Sequence, residues 1–308
     1  MNLKKPKFWN YNKPNIFAYL LFPFSILIIL VNFLKKIIGK RRFKIKTICV
    51  GNLYVGGTGK TSLCIKLNKI LNEKKIKSCF VKKYYKNQTD EQIILQNNGK
   101  LFLSTKRIDA IKQAENEKYE VAILDDGLQD HRINYDKSIV CFNTINWIGN
   151  GMTIPSGPLR EKVENLKNYE HVFLNGNLDN LDLFKKIILR INPKINIYHG
   201  KYEIVNLSQF NKDQKYFVFS GIGNHQTFIE MIKGYGFNIV KDLEFPDHYS
   251  YSDNDISKII SNSKKLNCRI ITTEKDYFRL SSKNLNEIEF IKSELKIIGE
   301  EKLIKSLI

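Results

Sequence analysis

Gly51-Asn52-Leu53-Tyr54-Val55-Gly56-Gly57-Thr58-Gly59-Lys60-Thr61 follows an apolar run, Ile45 to Val50, and precedes a segment, Ser62 to Leu71, whose apolar residues recur at helical spacing. Strand, glycine loop and helix is the setting in which such a stretch cradles a nucleoside triphosphate. Gly56, Gly57 and Gly59 let the backbone curl so that several N–H groups point at one anion, in front of the positive end of the helix. The candidate nucleotide-binding residues are Val55, Gly56, Gly57, Thr58, Gly59, Lys60, Thr61 and Ser62. Lys60 is expected to meet the β- and γ-phosphates, and Thr61 to bind Mg²⁺ through its hydroxyl. The position five residues before Gly59, usually glycine in such loops, is Tyr54; the Gly56-Gly57 pair supplies the flexibility instead. A glycine turn with a merely solvated lysine is the bland alternative, and the flanking strand and helix argue against it.

The 308 residues suffice for two modest domains. Fifty basic residues against 31 acidic ones leave a formal charge of +19, which calls for a polyanionic partner. Nucleic acid and an anionic membrane surface both satisfy that demand. Cys49, Cys64, Cys79, Cys141 and Cys268 are scattered, mostly in apolar surroundings, and read as small core residues of a reducing compartment, with neither a disulfide frame nor a zinc site.

Ile16 to Leu34 is almost unbroken apolar sequence, and as a helix its 19 residues reach about 28 Å, close to the thickness of a bilayer's hydrocarbon core. Lys35-Lys36 follows it with no small-residue cleavage site, which argues for a retained anchor over a cleaved signal. Lys4, Lys5, Lys7 and Lys13 precede the run, whereas Lys35, Lys36, Lys40, Arg41, Arg42, Lys44 and Lys46 follow it; the heavier basic side puts the bulk of the chain in the cytoplasm. Pro23 leaves open whether the helix spans the membrane or lies in its interface.

Beyond the glycine loop, Ser78 to Val81, Glu120 to Leu124, Ile139 to Asn143 and His171 to Leu174 read as strands alternating with helices, an α/β arrangement with a parallel sheet. Near Lys201 a second unit begins, in which Tyr216 to Ser220 is a strand leading into Gly221-Ile222-Gly223-Asn224 and a helix from about Gln226. That turn starts like a dinucleotide fingerprint but has Gln226 where the third glycine belongs, so it reads as a tight strand-to-helix turn. Arg269 to Thr273 is a further strand, before Glu274-Lys275-Asp276. The expected division is an N-terminal membrane-associated helix with its basic flank, 1–40, a phosphate-loop nucleotide-binding domain, 41–200, and a smaller α/β domain, 201–308.

Asp125-Asp126 ends an apolar strand, where a nucleoside triphosphatase places the carboxylate that holds Mg²⁺ or its water; a helix cap is the alternative. Asp90-Glu91 opens a helix expected over 90–96 and reads, on the residues alone, as a cap with first-turn acids. His248, in Phe245-Pro246-Asp247-His248-Tyr249, precedes a helix capped by Ser252 with Asp255 three residues on, and by itself reads as a surface loop residue.

Taken in order, Val55 to Thr61, Asp125-Asp126-Gly127-Leu128-Gln129, Ile154-Pro155-Ser156-Gly157-Pro158-Leu159-Arg160-Glu161, Gly221 to Asn224, Phe245 to Tyr249 and Thr273-Glu274-Lys275-Asp276 closely resemble the tetraacyldisaccharide 4'-kinases, the lipid A 4'-kinases of Gram-negative bacteria. The resemblance runs over most of the chain. It implies a P-loop NTPase-like domain joined to a smaller α/β domain, with the site between them. It also implies ATP and Mg²⁺, a lipid A disaccharide 1-phosphate as acceptor, and a place at the inner membrane with the catalytic domains on the cytoplasmic side. By position it gives Asp90 the acid-base role with His248, has Glu91 and Asp125 assist the metal, and has Asp126, like Lys60, serve the phosphoryl chemistry. No nucleic acid or protein partner is implied.

Two departures stand out. The family's usual Arg-Gly-Tyr-Gly turn is replaced by Lys83-Tyr84-Tyr85-Lys86, and Tyr84 does not enter positive φ as glycine does. After Gln129, Asp130 precedes His131 where the family often has histidine at once, so His131 is given no role. One rival is a membrane-attached regulatory ATPase, whose loop carries a signature lysine where this chain has Val55. Another is a basic nucleic-acid binder, whose aromatic-basic recognition motif is missing.

Overall fold

The computed structural model of the chain describes residues 5–35, 39–86, 89–145, 147–176, 181–247, 249–280 and 282–308, without the side chains of residues 90 and 282–284. It forms two compact units, Lys5–Gly200 together with Ile297–Ile308, and Lys201–Lys296. The larger begins with α1 (Ile16–Lys35), β1 (Lys46–Gly51), α2 (Lys60–Glu73), β2 (Ser78–Lys83), α3 (Thr89–Asn97), β3 (Leu101–Ser104) and α4 (Arg107–Asn116). It continues through β4 (Val121–Asp125), β5 (Lys137–Asn143), β6 (His171–Asn175), α5 (Leu181–Ile191) and β7 (Asn196–Ile204). The smaller holds β8 (Lys215–Ser220), α6 (His225–Gly234), β9 (Asn238–Glu244), α7 (Asp253–Lys265), β10 (Arg269–Thr273), α8 (Glu274–Tyr277) and β11 (Ile288–Ile291). Then β12 (Ser293–Ile298) and α9 (Glu300–Leu307) close the chain.

The large sheet has the order β12-β7-β6-β5-β1-β4-β2-β3, and its pairs from β3 to β7 are parallel. The central strands are buried along nearly their whole length, which is why they read as continuous Ile, Val, Leu and Cys runs without alternation. Residues of one parity, including Cys49, Val81, Leu124, Val140 and Leu174, form one core with Ala110 and Ile111 of α4 and Ile188 of α5. On the glycine-loop side α2 buries Leu63, Cys64, Leu67, Ile70 and Leu71. Four of the five free cysteines are fully buried in these layers, and burial pushes the Cys49 thiol up to about 12, so they act as small apolar residues.

Helix α1 runs through Pro23 and is fastened lengthwise to its own unit. Ala18 and Ser25 are its buried residues. The Ser25 hydroxyl donates to the Thr153 carbonyl at 2.8 Å and lies 2.8 Å from the Ser156 hydroxyl; the Asn32 amide donates to the Arg160 carbonyl at 3.3 Å. Ala18, Ser25 and Asn32 are seven apart, so they share one stripe over about 21 Å of helix. Away from that stripe Leu20, Phe24, Leu27, Leu30 and Phe33 are exposed.

In the smaller unit β11, β10, β8 and β9 pair in that order, all parallel. Alternation along β8 sends Tyr216 and Val218 to a core with Phe228 and Ile232 of α6, and Phe217 and Phe219 to another with Ile256 and Ile259 of α7. Ser252 and Asp255 form the reciprocal cap expected for α7. The Gly221 turn is structural: Asn224 caps α6, and the Gly221 N–H donates to the fully buried Asp276 carboxylate at 3.1 Å. Asp276 also accepts from Thr273 at 2.7 Å, Tyr251 at 3.0 Å and Arg279 at 3.0 Å. One carboxylate thus ties two strand ends to the segment after β9. Replacing Asp276 by alanine leaves Arg279 and the Gly221 amide without their buried partner and should lower the stability of this unit by about 3 kcal/mol, read as a lowered urea midpoint; a loss under about 1 kcal/mol would show the hub to be dispensable.

Candidate active site

The site grows from the C-terminal ends of three neighbouring strands, β1, β4 and β2. Parallel register sets Val50 beside Asp125 and Val81 beside Leu124, so the next residue on β2, Lys82, falls beside Asp125. From β1 the chain turns through the glycine loop into α2. Gly59, the residue before the helix, has φ 80°, and Gly56 has φ 131°, left-handed conformations that glycine adopts without strain. With glycine there, no side chain caps α2, and its first N–H groups face outward without helix partners. The loop is nonetheless held firmly: Val55 N–H donates to the Pro158 carbonyl at 2.8 Å, and the Asn52 side chain donates to Thr58 Oγ1 at 3.0 Å. Tyr54, at the position where a glycine is usual, is buried, and its hydroxyl donates to Asn10 at 3.2 Å. The irregular residue therefore packs the loop against the N-terminal segment.

The two adjacent aspartates serve different partners. Asp125 ends β4 and is fully buried; Thr61 Oγ1 donates to its Oδ2 at 3.2 Å and Lys82 Nζ to the same oxygen at 2.6 Å. Its other oxygen, Oδ1, is buried with no hydrogen-bond partner among the described residues. Asp126 has φ 60°, which turns its side chain elsewhere. Its Oδ1 accepts from Arg160 at 2.7 Å and lies 4.0 Å from Lys60 Nζ. Burial opposes ionisation of Asp126, but Lys60 and Arg160 outweigh it and hold the carboxyl well below the usual carboxylate range. Arg107 donates to the Asp126 carbonyl, fixing the turn from behind.

Lys82 is 2% exposed and also donates to Glu91 Oε2 at 2.7 Å, from the first turn of α3. Burial works against its charge, yet Asp125 and Glu91 prevail and raise the ammonium pKa. Asp90 lies in the same first turn with its side chain outside the described residues, and His248 lies outside them altogether. Ser62 follows Thr61 in α2, while Gly57 and Thr58 complete the loop. Where the Lys83-Tyr84-Tyr85-Lys86 departure occurs, β2 ends at Lys83 and the chain passes through Tyr84 and Tyr85 into a turn at Lys86, with Tyr84 N–H donating to the Ser104 carbonyl at 2.8 Å.

Lys82 and Arg160 are missed by a reading of the sequence. A lysine at the end of Ser78-Cys79-Phe80-Val81 is an available hint, since a charge in a central strand must be paired, but its partner depends on register. Arg160 sits within a recognisable motif whose role follows only from the Asp126 contact. Metal-binding capacity is of one kind: among the described residues no three His, Cys, Asp or Glu side chains converge on a point. The Asp125 carboxylate, with the Thr61 hydroxyl on Oδ2 and Oδ1 unpartnered among the described residues, instead fits a hard cation that takes its remaining ligands from phosphates and water, the habit of Mg²⁺.

The family model for tetraacyldisaccharide-1-P 4'-kinase matches residues 17–100 and 89–308. The chain belongs to this family. A tetraacyldisaccharide 4'-kinase of Pelagibacter ubique is 59% identical over 100% of this chain and 98% of that one, and one from Rickettsia canadensis is 36% identical over 96% and 94%. The crystal structure of LpxK from Aquifex aeolicus in complex with ATP shares the fold, with a TM-score of 0.68 at 23% identity over 94% of this chain and 98% of that one. The chain is accordingly an ATP-dependent phosphotransferase, a tetraacyldisaccharide 4'-kinase of lipid A biosynthesis, with a P-loop NTPase-like α/β fold. The P-loop kinase reading of the sequence is borne out, and the regulatory ATPase and nucleic-acid rivals fall away.

The Asp126 ion pairs give the enzyme a defined acid response. A carboxyl lowered in the folded state adds stability that is complete above the unfolded value, about 4, and is lost as pH falls below it. Arg160→Met should therefore lower stability at pH 7 and shrink the difference between pH 7 and pH 3, followed by urea unfolding at stepped pH; an unchanged pH dependence would remove Arg160 from the account.

Proposed function

We propose that the enzyme binds ATP with its triphosphate against Val55 to Ser62 and transfers the γ-phosphoryl group to a lipid A disaccharide 1-phosphate. The observation that carries this residue assignment is the uncapped start of α2, with the Thr61 hydroxyl on an Asp125 carboxylate whose other oxygen is buried without a hydrogen-bond partner among the described residues. Lys60 leaves Asp126 for the β- and γ-phosphates when they arrive, and Arg160 keeps the Asp126 charge in place. Thr61 and Asp125 hold Mg²⁺, with Glu91 behind them; bound there, the ion neutralises charge on the transferring phosphates. Asp90 accepts the proton of the 4'-hydroxyl, assisted by His248, because a sugar hydroxyl is too weak an acid to attack unaided. In this division residues 1–40 serve the membrane, 41–200 hold the nucleotide, and 201–308 form the smaller α/β domain.

The enzyme works at the cytoplasmic face of the inner membrane, and α1 lies in the interface without crossing it. A spanning helix surrounds its middle with lipid, whereas Ser25, near the middle of α1, is hydrogen-bonded to Thr153 and Ser156 of the enzyme's own core unit. The exposed Leu, Phe and Ile side chains then enter the headgroup boundary, and the flanking lysines and arginines meet anionic lipid.

Asp90→Asn and His248→Ala should each slow single-turnover phosphoryl transfer by about two to four orders of magnitude, and the double variant should lose far less than the product of the two. Multiplicative losses would assign them independent roles, and near-normal transfer by Asp90→Asn would return that residue to helix capping. For topology, cysteines introduced at Lys13 and Lys40 in a Cys268→Ser background should both react with an impermeant maleimide in inverted vesicles and neither in right-side-out ones. Labelling of the two positions from opposite sides would mean that α1 spans.

A further inference from the structure

Lys82 is the least expected charge in the molecule. It is 2% exposed, on an inner strand of a parallel sheet, with its ammonium 2.6 Å from Asp125 Oδ2 and 2.7 Å from Glu91 Oε2. The Thr61 hydroxyl touches the same Asp125 oxygen at 3.2 Å. A point flanked by two carboxylate oxygens from two different elements, and next to a phosphate-loop hydroxyl, is where a divalent cation would be coordinated. Its ligand distances would be about 2.1 Å for Mg²⁺, so each of the two oxygens would close in by about half an ångström. A compact ammonium with three donors fills the same slot without being exchangeable.

We propose that Lys82 is a built-in cation standing where a second divalent metal would sit, so that the kinase works with a single metal ion on the other side of Asp125. Asp125 is thereby divided: Oδ2 takes both Lys82 and the Thr61 hydroxyl, and Oδ1, buried and unpartnered among the described residues, is the oxygen left for the exchangeable ion. Glu91 then shapes the metal site through Lys82 and is not itself a ligand. The parallel arrangement on the next residue strengthens the case, because Asp126 is likewise held by fixed cations, Arg160 and Lys60. Phosphoryl-transfer sites commonly spread positive charge over the phosphates with more than one cation, and here the protein supplies all but one of them.

The inference rests on the proposed metal role of Thr61 and Asp125, and counting metal ions tests the two separately. The full-length enzyme in detergent, loaded with a non-hydrolysable ATP analogue, is titrated with Mn²⁺ and the bound ion counted by electron paramagnetic resonance. Wild type should bind one Mn²⁺ per chain, and Asp125→Asn should weaken that ion at least tenfold; an Asp125→Asn chain with unchanged affinity overturns the metal assignment. Lys82→Met should bind two Mn²⁺ and gain thermal stability on adding Mn²⁺ that wild type does not, while Lys82→Met combined with Glu91→Gln should return to one. Two Mn²⁺ in wild type, or only one in folded Lys82→Met, overturns the role of Lys82 and leaves the metal site standing. If Lys82→Met is unfolded without metal, refolding on adding Mn²⁺ supports the proposal and failure to refold overturns it.

Discussion

The positive φ of Asp126 is the constraint on which the rest of the site depends. Two aspartates in succession at a strand end would ordinarily repel each other and alternate across the sheet. Here the left-handed turn at φ 60° lets Asp125 continue the buried strand while Asp126 swings toward Arg160 and Lys60. Each carboxylate therefore acquires its own fixed cation, and the local charge is nearly balanced before any ligand arrives. Non-glycine residues rarely adopt this conformation, and aspartate is among those that tolerate it best. Arg107 on the Asp126 carbonyl and Arg160 on its side chain hold the turn from two directions.

From that turn the neighbouring segments take their places. Gln129 donates to the Asn52 carbonyl at 3.1 Å and to Glu161 at 3.1 Å, joining the segment after β4 to the start of the glycine loop and to the segment that carries Arg160. Arg160 N–H donates in turn to the Leu53 carbonyl at 2.6 Å. The glycine loop is thus clamped on its outer side by residues 153–161, the same stretch that receives Ser25 and Asn32 of α1. Nucleotide loop and apolar helix are two hydrogen-bonded steps apart within one unit.

What could be read from the sequence was what depends on near neighbours. The glycine loop, the buried strands at β1, β2, β4, β5, β6, β8 and β10, the Ser252 cap and the core cysteines are all signalled within a few residues, and the structure has them within a residue or two of the expected ends. The remainder depends on distant chain. Lys82 acquires meaning only through the register of β2 on β4, a pairing of residues some forty positions apart. β9 is exposed along almost its whole length, so it has no apolar alternation to betray it. The short β3, β11 and β12 owe their existence to the strands beside them. At Lys83-Tyr84-Tyr85-Lys86 a local rule does hold: none of the four residues has a positive φ, and β2 ends at Lys83 with a turn at Lys86.

The stripe of Ala18, Ser25 and Asn32 bears on how the enzyme meets its acceptor. On the reading proposed here, a helix stitched lengthwise to the catalytic body leaves no slack between bilayer and site, so the enzyme rides at one fixed height and orientation. Its search for an amphiphilic acceptor is then a lateral one. Turnover under those conditions follows the mole fraction of acceptor within the surface, so diluting it with inert lipid slows the enzyme even when the bulk amount is unchanged.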